Sequence, residues 1–250
     1  MNFLEIAEET ADKALMVVKR FTEDVGIISS KEKDIKTKAD MELSAFIMAQ
    51  LERTGIPVIS EEAEYKNGEL PGKCWIIDPI DGTLNFNRKF PCVGISICLW
   101  EDNKPVIGVV KDIFNDLTYV SGLNMGARVG SETIQVSKVN TVAEAVLATG
   151  FPSGGSYDTE DLLSFVKKVQ DFKKIRAIGS ASLMLSYVAR GVFDAYFEKD
   201  IYLWDVAAGL SLVTEAGGKV YYSKKGDSHK YDVLATNPLI FEEVKRSLIK

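Results

Sequence analysis

The spacing of apolar runs changes near residue 140, and this change constrains the fold more than any other feature of the sequence. Before it, two segments of helical periodicity precede five short β-type runs, which read PVIS, CWIID, VGISICLW, VIGVV and LTYVSG. After it, strand-like runs alternate with helical ones. Closely spaced strands predict an antiparallel meander under two helices, whereas alternation predicts an α/β layer. We therefore expect two lobes, residues 1–141 and 142–250, with a small-molecule cleft between them.

The helices are predicted from apolar positions that recur every three or four residues. In the first lobe this periodicity covers residues 4–18 and 43–51, and Gly55 and Pro57 close the second of these helices. In the second lobe it predicts helices at 158–169, at 180–190, at about 204–216 and after Pro238. The runs AVLATGF, IRAIG, FDAYFE, KVYYS and VLATN are the predicted strands.

Charge and composition limit the partners of this chain. Thirty Lys and Arg residues against 36 Asp and Glu residues give a net charge of −6, which argues against nucleic acid because duplex binding needs a basic face. No apolar window is long enough to span a bilayer, and the N-terminus lacks a secretory signal pattern. Three cysteines lie in apolar runs without CxxC spacing and are predicted to be buried thiols. We expect a cytoplasmic protein that does not bind membranes.

The sequence contains one histidine, His229, in the polar run KKGDSHKYD. A zinc site built on histidines and a Ser-His-Asp triad both need histidine at the centre. We interpret His229 as an ordinary surface residue, so the chemistry must depend on carboxylates, hydroxyls and metal ions.

The run WIIDPIDGTLNF brings two acids, Asp78 and Asp81, within three residues. We expect residues 75–77 to form a buried strand that Pro79 ends, because proline cannot donate to a strand ladder. Two carboxylates held this close repel each other unless one is protonated or a cation lies between them, and oxygen ligands at a strand edge suit Mg²⁺. The N–H groups of Gly82 and Thr83, at a predicted helix start, can bind phosphate. An Asp-capped turn is the alternative reading of these residues.

Two other motifs are excluded by their spacing. Phosphatases of the haloacid dehalogenase type carry D-x-D-G-T near the start of the chain, whereas here the acids are three residues apart and a proline intervenes. The run FPSGGSYD lacks the G-K-[ST] of a phosphate loop, and it is predicted to be a turn between elements.

Further acids occur at two other element ends. Glu61 and Glu62 follow the strand-like run PVIS, and Asp205 falls in the first turn of a predicted helix, where the helix dipole favours a carboxylate. Taken alone, these acids also fit a solvated turn and a plain N-terminal helix acid. Together with Asp78 and Asp81 they make a set of four carboxylates that fits a two-metal cleft.

With these motifs the sequence resembles the inositol monophosphatase family, within the larger group that includes fructose-1,6-bisphosphatases and phosphoadenosine phosphatases. The matching motifs are SEEA, WIIDPIDGTLNF, IRAIGSASL and WDVAAGLSLVTEAGG, in the order of the family and across essentially the whole chain. The resemblance implies a five-layered αβαβα sandwich with an α+β N-terminal lobe and an α/β C-terminal lobe. It also implies hydrolysis of a phosphate monoester by a metal-activated water, with two or three Mg²⁺ ions per site, in a homodimer.

The resemblance assigns roles to individual residues. Glu61, Asp78 and the carbonyl of Ile80 correspond to ligands of a first metal, with Glu61 reaching a third ion through water. Asp78, Asp81 and Asp205 correspond to ligands of a second metal. The paired side chains of Thr83 and Asp40 match a dyad that orients or deprotonates the attacking water, and Glu62 matches a supporting acid.

The same resemblance implies the substrate contacts. Asp81, Gly82 and Thr83 correspond to residues around the phosphate, the last two through their N–H groups. Gly179, Ser180 and Ala181 match a segment that meets the alcohol, and Glu198 matches an acid that binds sugar or inositol hydroxyls. Arg176 is predicted to line the pocket or an interface.

Several phosphate esters remain open as substrates. The ending DGTLNF favours myo-inositol monophosphate or a similar sugar phosphate. Fructose-1,6-bisphosphate, histidinol phosphate and 3'-phosphoadenosine 5'-phosphate are the alternatives. A non-enzymatic regulator that binds a protein partner is the hypothesis from another class, and it predicts loss of metal ligands that this chain retains.

Overall fold

The computed structural model describes residues 2–21, 27–31, 34–62, 69–151, 158–226 and 229–249, and for 27–31 and 34–36 it describes the backbone alone. The turn predicted at FPSGGSYD lies largely at 152–157, outside the described residues.

The arrangement of helices and strands changes near residue 140, as the spacing of apolar runs predicted. The helices are α1 (Phe3–Val18), α2 (Lys38–Leu51), α3 (Thr83–Asn87), α4 (Thr159–Val169), α5 (Ala181–Ala189), α6 (Leu203–Glu215) and α7 (Phe241–Leu248). The strands before residue 140 are β1 (Ile27–Lys31), β2 (Asp34–Thr37), β3 (Val58–Ser60), β4 (Lys73–Asp81), β5 (Gly94–Glu101), β6 (Lys104–Asp112), β7 (Leu117–Gly122), β8 (Gly126–Val129) and β9 (Glu132–Ile134). The strands after it are β10 (Val146–Thr149), β11 (Lys174–Arg176), β12 (Ala195–Tyr202), β13 (Lys219–Lys224) and β14 (Lys230–Thr236).

Two large sheets divide these strands at the point where the sequence changes. Strands β3 to β9 form a seven-stranded sheet in chain order, antiparallel except for the parallel pair β3 and β4. Strands β10 to β14 form a five-stranded sheet in the order β11-β10-β12-β14-β13. The predicted boundary between 141 and 142 lies between the two sheets, and the division into two domains stays a prediction.

The helices and sheets stack in five layers, as expected. Helices α1 and α2 pack on one face of the seven-stranded sheet around Leu43 and Trp75. Helices α5 and α6 fill the space between the two sheets with apolar side chains such as Leu185 and Leu210. Helices α4 and α7 cover the outer face of the five-stranded sheet. The αβαβα sandwich is therefore confirmed.

Strand β4 does not end at Pro79, and that prediction was wrong. The strand continues to Asp81 with a register shift, since Asp78 pairs with Ser96 and Asp81 pairs with Gly94. Two residues of β4, Pro79 and Ile80, thus lie opposite one residue of β5, Ile95, which is a β-bulge, and a bulge tolerates proline because its extra residue makes no ladder hydrogen bond. Ile77 and Ile80 both pack toward α1 and α2. The bulge therefore turns Asp78 and Asp81 to the opposite face, toward α5 and α6.

His229 differs from its prediction as a surface residue. Its ring is half-buried against Trp204, with centroids 6.0 Å apart, and burial together with the charge of Lys224 lowers the pKa of the imidazole.

The three cysteines are buried free thiols, as predicted. Among the described residues, no helix combines the length and apolar character needed to cross a membrane.

Candidate metal centre

Three carboxylates meet between the two sheets. Asp78, Asp81 and Asp205 each offer one oxygen, and these three oxygens lie within 4.8 Å of one another. Asp78 and Asp81 are buried, and Asp205 is half-buried. Acids from both sides of the predicted boundary at residue 141 are therefore brought together.

Helix α6 delivers Asp205 to this cluster in its first turn, as the sequence predicted. The Ser96 hydroxyl on β5 donates to the carbonyl of Trp204 at 3.0 Å, and Ser96 is the residue that pairs with Asp78 across the sheet. This bond fixes the start of α6 beside the bulge in β4. The position of Asp205 thus depends on contacts between elements more than 100 residues apart in the chain.

Helix α5 holds Asp81 from the opposite side. Asp81 Oδ2 accepts hydrogen bonds from the Ser180 hydroxyl at 2.6 Å, from the Ser182 hydroxyl at 2.5 Å and from the Ser182 N–H at 2.7 Å. The Ala181 N–H donates to Oδ1 at 3.2 Å. Two residues that the sequence assigned to the substrate alcohol, Ser180 and Ala181, therefore donate to Asp81.

Glu61 lies next to Asp78 because β3 runs parallel to β4. Its N–H donates to the carbonyl of Ile77 at 3.3 Å, directly before Asp78. The Ile80 N–H donates to Asp78 Oδ1 at 2.9 Å, which holds the Asp78 carboxylate inside the bulge. Glu62 is half-buried, and its charge raises the pKa of both Glu61 and Asp40.

Asp40 and Thr83 form the predicted pair. The Thr83 hydroxyl lies 3.2 Å from Asp40 Oδ1 and 3.1 Å from the carbonyl of Ile80, so it can donate to either. The other Asp40 oxygen accepts from the N–H of Thr37 at 2.8 Å and from its hydroxyl. Thr37 and Asp40 form a capping box at the start of α2, which positions the Asp40 carboxylate.

Burial and mutual repulsion raise the pKa values of these acids. Burial is the main cause in every case, and the charges of Glu61, Asp81 and Asp205 raise the pKa of Asp78 further. The pKa of Asp205 is raised by burial and then by Glu61, Asp81 and Glu198. The pKa of Glu61 is raised to about 8 and that of Asp40 to about 6.

The donor set fits a hard divalent cation. At least three carboxylate oxygens converge within reach of one ion, and after burial the charges of neighbouring acids raise the pKa values of Asp78 and Asp205. Oxygen-only ligands are those that Mg²⁺ prefers. Residues Asp78, Asp81 and Asp205 can therefore hold a metal ion, and Glu61 beside them can add a fourth carboxylate.

Glu198 lies on β12 at the edge of this cluster. It is buried, it accepts a hydrogen bond from the Tyr196 hydroxyl at 2.9 Å, and burial raises its pKa to about 7, with Asp81 contributing. It also lines a cavity of about 340 Å³ between α4 and the ends of β10 and β12. Gly150 touches this carboxylate so closely that a Cβ there would lie 2.7 Å from Glu198 Oε2.

Gly179 and Arg176, two further residues predicted to belong to the site, differ in their distance from the carboxylates. Gly179 has φ +74° and lies against Asn85, next to the carboxylates. Arg176 is exposed on β11, the edge strand of its sheet, and its guanidinium donates to the carbonyl of Ile175 at 3.0 Å. The structure does not bring Arg176 to the carboxylate cluster.

Sequence reasoning missed three residues that hold the predicted acids. Ser182 donates twice to Asp81, Thr37 caps Asp40, and Tyr196 donates to Glu198. The pattern T-x-x-D at residues 37–40 is a capping-box signal that could have identified Thr37. The sequence carries no local signal for Ser182, because its partner lies 101 residues away.

Comparisons with known proteins place the chain in one family. The protein-family model described as "Inositol monophosphatase family" matches residues 2–249. A curated inositol-1-monophosphatase from Synechocystis is 32% identical over 99% of this chain and 88% of its own length. A protein named Nus factor SuhB from Pseudomonas aeruginosa is 35% identical over 87% of this chain and 84% of its own length.

A solved structure gives the same result for the fold. The IMPase from Thermotoga maritima superposes with a TM-score of 0.84 at 30% sequence identity, covering 99% of this chain and 96% of its own. The similarity therefore extends over both sheets and the layer of helices between them.

Proposed function

This chain belongs to the inositol monophosphatase family, and from that premise we propose that it hydrolyses the phosphate monoester of a small polyol, with myo-inositol monophosphate as the leading substrate, in a Mg²⁺-dependent reaction. The observation that carries the proposal is the convergence of Asp78, Asp81 and Asp205 within 4.8 Å at the meeting point of both halves of the chain. Curated relatives named inositol-1-monophosphatase support the substrate class.

We assign the metal ligands as the family motifs imply. Glu61, Asp78 and the carbonyl of Ile80 would hold one ion, and Asp78, Asp81 and Asp205 a second. A third ion would be reached from Glu61 through water. Bound Mg²⁺ supplies positive charge and Lewis acidity for cleavage of a phosphate ester.

The chain's own residues provide proton transfer and positioning. Asp40 is buried with a pKa raised to about 6, and it accepts from Thr83, so Asp40 Oδ1 can take up a proton that the Thr83 hydroxyl relays from the attacking water. Asp81, Gly82 and Thr83, at the end of β4 and the start of α3, would surround the phosphate, the last two through their N–H groups.

The alcohol of the substrate would lie toward Glu198 and the cavity beside it. Glu198 is buried and can accept hydrogen bonds from polyol hydroxyls, which would stabilise its carboxylate. Gly179, Ser180 and Ala181 would meet the same alcohol. Because the Ser180 hydroxyl donates to Asp81, its remaining role toward substrate is that of an acceptor.

We also propose a homodimer formed through α4 and β11. Leu163 and Val166 are each 55% exposed on α4, and Ile175 and Arg176 are exposed on β11, the edge strand that follows α4 in the chain. Exposed apolar side chains and an edge strand are both features that association commonly covers. In the proposed dimer Arg176 would lie at the interface, one of its two predicted positions.

We place the enzyme in the cytoplasm because its buried thiols Cys74, Cys92 and Cys98 suit a reducing compartment.

The experiment is a substrate panel with the purified protein. Phosphate release is measured from inositol-1-phosphate, fructose-1,6-bisphosphate, histidinol phosphate and 3'-phosphoadenosine 5'-phosphate, each with Mg²⁺ and with EDTA. We expect the highest kcat/KM for inositol-1-phosphate and no turnover in EDTA. Turnover of none of the four esters would refute the assignment, and a tenfold preference for another ester would replace the substrate.

A second candidate function is partner binding, and one observation favours it. Proteins named Nus factor SuhB match this chain at 33–35% identity, as well as the named phosphatases do. The four carboxylates are all present in this chain, which favours the enzyme. Asp81→Asn separates the two functions, because an enzyme loses turnover whereas a binding module keeps its partner.

A further inference from the structure

Asn85 is tied to both halves of the chain. It lies in α3, three residues after Gly82, and its side-chain amide donates to two backbone carbonyls. One is that of Cys92, at 2.9 Å, and the other is that of Ile178, at 2.7 Å. Ile178 is 93 residues away and directly precedes the segment that leads into α5. Both hydrogens of one amide are thus used to join two loops.

The segment that Asn85 holds is the one that binds Asp81. Residues 180–182 follow Ile178 after a single residue, Gly179, and donate four hydrogen bonds to the Asp81 carboxylate. The packing leaves little freedom, because a Cβ on Gly82 would lie 3.0 Å from the Gly179 carbonyl and a Cβ on Gly179 would lie 3.1 Å from the Asn85 amide nitrogen. A shift of this segment would therefore move the donors of Asp81.

These donors are divided unequally between the two Asp81 oxygens. Oδ2 accepts three of them, whereas Oδ1 accepts one, at the longer distance of 3.2 Å. A carboxylate oxygen has about two lone-pair positions, so Oδ2 is saturated and Oδ1 retains capacity for a cation. The orientation of this carboxylate is set by the donors of residues 180–182.

We propose that Asn85 is a positioning residue that, by tying Ile178 to the loop at Cys92, holds residues 180–182 on Asp81 and thereby presents Asp81 Oδ1 to a divalent cation. This rests on the proposed function, since it takes Asp81 as a metal ligand. Partners behind metal ligands fix ligand orientation, and their loss commonly lowers metal affinity about 10–100-fold.

The test compares two asparagines that make similar bonds. Asn85→Leu keeps most of the side-chain volume and removes both donors. Asn237→Leu is the control, because the Asn237 amide nitrogen also donates twice, to Ser137 Oγ at 2.9 Å and to the Val139 carbonyl at 3.0 Å, while its oxygen accepts from the N–H groups of Leu239 and Ile240. Titration calorimetry of the metal-free proteins gives the Mg²⁺ dissociation constant, and thermal melts without metal give the structural cost.

We expect Asn85→Leu to raise the Mg²⁺ dissociation constant about tenfold, with turnover returning to within about threefold of the unaltered protein at saturating Mg²⁺. Asn237→Leu should lower the melting temperature and leave the dissociation constant within twofold. An unchanged Mg²⁺ constant in Asn85→Leu would overturn the proposal. If Asn85→Leu does not fold, Asn85→Ala is measured in the same way.

A second pair of variants tests the route through Asp81. Ser182→Ala removes one donor to Asp81, whereas Ser186→Ala removes a buried hydroxyl on the same helix that donates to the Ser182 carbonyl. We expect Ser182→Ala to weaken Mg²⁺ binding, Ser186→Ala to leave it unchanged, and the Asn85 and Ser182 effects to be non-additive. Additive effects would show that Asn85 does not act through this segment. Failure of the unaltered protein to bind Mg²⁺ would instead refute the proposed function.

Discussion

Asp205, which we propose as a metal ligand, lies where its charge opposes folding of the metal-free protein. Its carboxylate is half-buried, and the charges of Glu61, Asp81 and Glu198 raise its pKa after burial does. We predict that Asp205→Asn raises the melting temperature of the metal-free protein at pH 8, because it removes one of several repelling charges. The same variant should lose the Mg²⁺-induced rise in melting temperature and more than about 100-fold in turnover. Thermal melts with and without Mg²⁺ measure both stability effects, and phosphate release measures the turnover.

Asp200→Asn is the control for this experiment, since Asp200 is an exposed acid on the preceding strand with φ +55°, a conformation that asparagine tolerates. It should change neither the melting temperature nor the Mg²⁺ response. A metal-free Asp205→Asn protein that is clearly less stable than the unaltered one would contradict the account of repulsion.

Single residues were predictable from sequence where their chemistry was local. Asp78 and Asp81 share one motif, and Asp205 has a helix start beside it, so residue type and spacing were sufficient to select them. Asn85 and Ser182 were missed as positioning residues because their role depends on partners 93 and 101 residues away. An asparagine in a short helix has no pattern that distinguishes it from a solvated one.

At the level of elements, helices were predicted more reliably than the bulge in β4. Periodicity depends on burial of one face, which α1 and α2 show directly through residues such as Ala7 and Leu43. The proline at 79 was read as a strand end because proline lacks a donor, but the pairing of β5 with both sides of the bulge overrides that local rule. Strands β8 and β9 were not predicted, because runs of three or four residues carry little pattern.

The junction of β4 and α3 requires glycine at position 82 for two reasons. Gly82 has φ +101°, and a Cβ there would lie 3.0 Å from the Gly179 carbonyl and 3.1 Å from the Cys92 carbonyl. We predict that Gly82→Ala lowers the free energy of unfolding by more than the roughly 1–2 kcal/mol that left-handed backbone alone costs. Urea unfolding monitored by circular dichroism measures this difference.

Gly217→Ala separates the cost of the left-handed backbone from the cost of the close contacts at Cβ. Gly217 has φ +85°, and nothing lies within 4 Å of its Cβ position. It should lose the cost of the backbone conformation alone. Equal losses at the two positions would mean that the contact between α3 and the segment before α5 has no energetic effect.

For the whole molecule, the order of elements predicted two lobes and the family resemblance implied the five layers, which are confirmed. What the sequence could not show is how the layers share helices. Helices α5 and α6 pack against both sheets, so the carboxylate cluster forms where the two halves of the chain are already joined. The packing of helices on sheets that are distant in the chain depends on the shapes of side chains from both. No short stretch of sequence contains that information.

The acids of the site make the stability of the whole metal-free molecule depend on pH. The pKa values of Asp40, Glu198 and Glu61 are raised to about 6, 7 and 8, above those of the unfolded chain. Groups with raised pKa values contribute stability at low pH, and that contribution is lost as the pH rises through the folded values. We predict that the melting temperature of the metal-free protein falls between pH 5 and pH 8.5, and that saturating Mg²⁺ reverses this trend because it favours the ionised acids.

Melts in EDTA and in Mg²⁺ across this pH range measure the effect. Loss of stability at acid pH has a different cause. The hydrogen bond from Lys111 lowers the pKa of Asp116, so the stability that this pair contributes is lost only at pH values below the usual pKa range of an aspartate. A metal-free melting temperature that rises steadily from pH 5 to 8.5 would contradict the account.

The proposed dimer predicts a change of mass. Val166→Glu combined with Ile175→Glu places charges on the apolar surface of α4 and β11, which should convert a dimer into a monomer in sedimentation equilibrium. Leu123→Glu, at a residue that is 60% exposed in the turn between β7 and β8, is the control and should leave the mass unchanged. An unaltered protein that sediments as a monomer would exclude the interface.

The proposed function requires the carboxylates of Asp78, Asp81 and Asp205 to bind a divalent cation together. The most direct measurement is an anomalous difference map from crystals of the metal-free protein soaked in Mn²⁺, which takes the same oxygen ligands as Mg²⁺. We predict a peak within about 2.0–2.4 Å of an oxygen from each of these three side chains. Saturating Mn²⁺ that leaves no peak among them would contradict the claim.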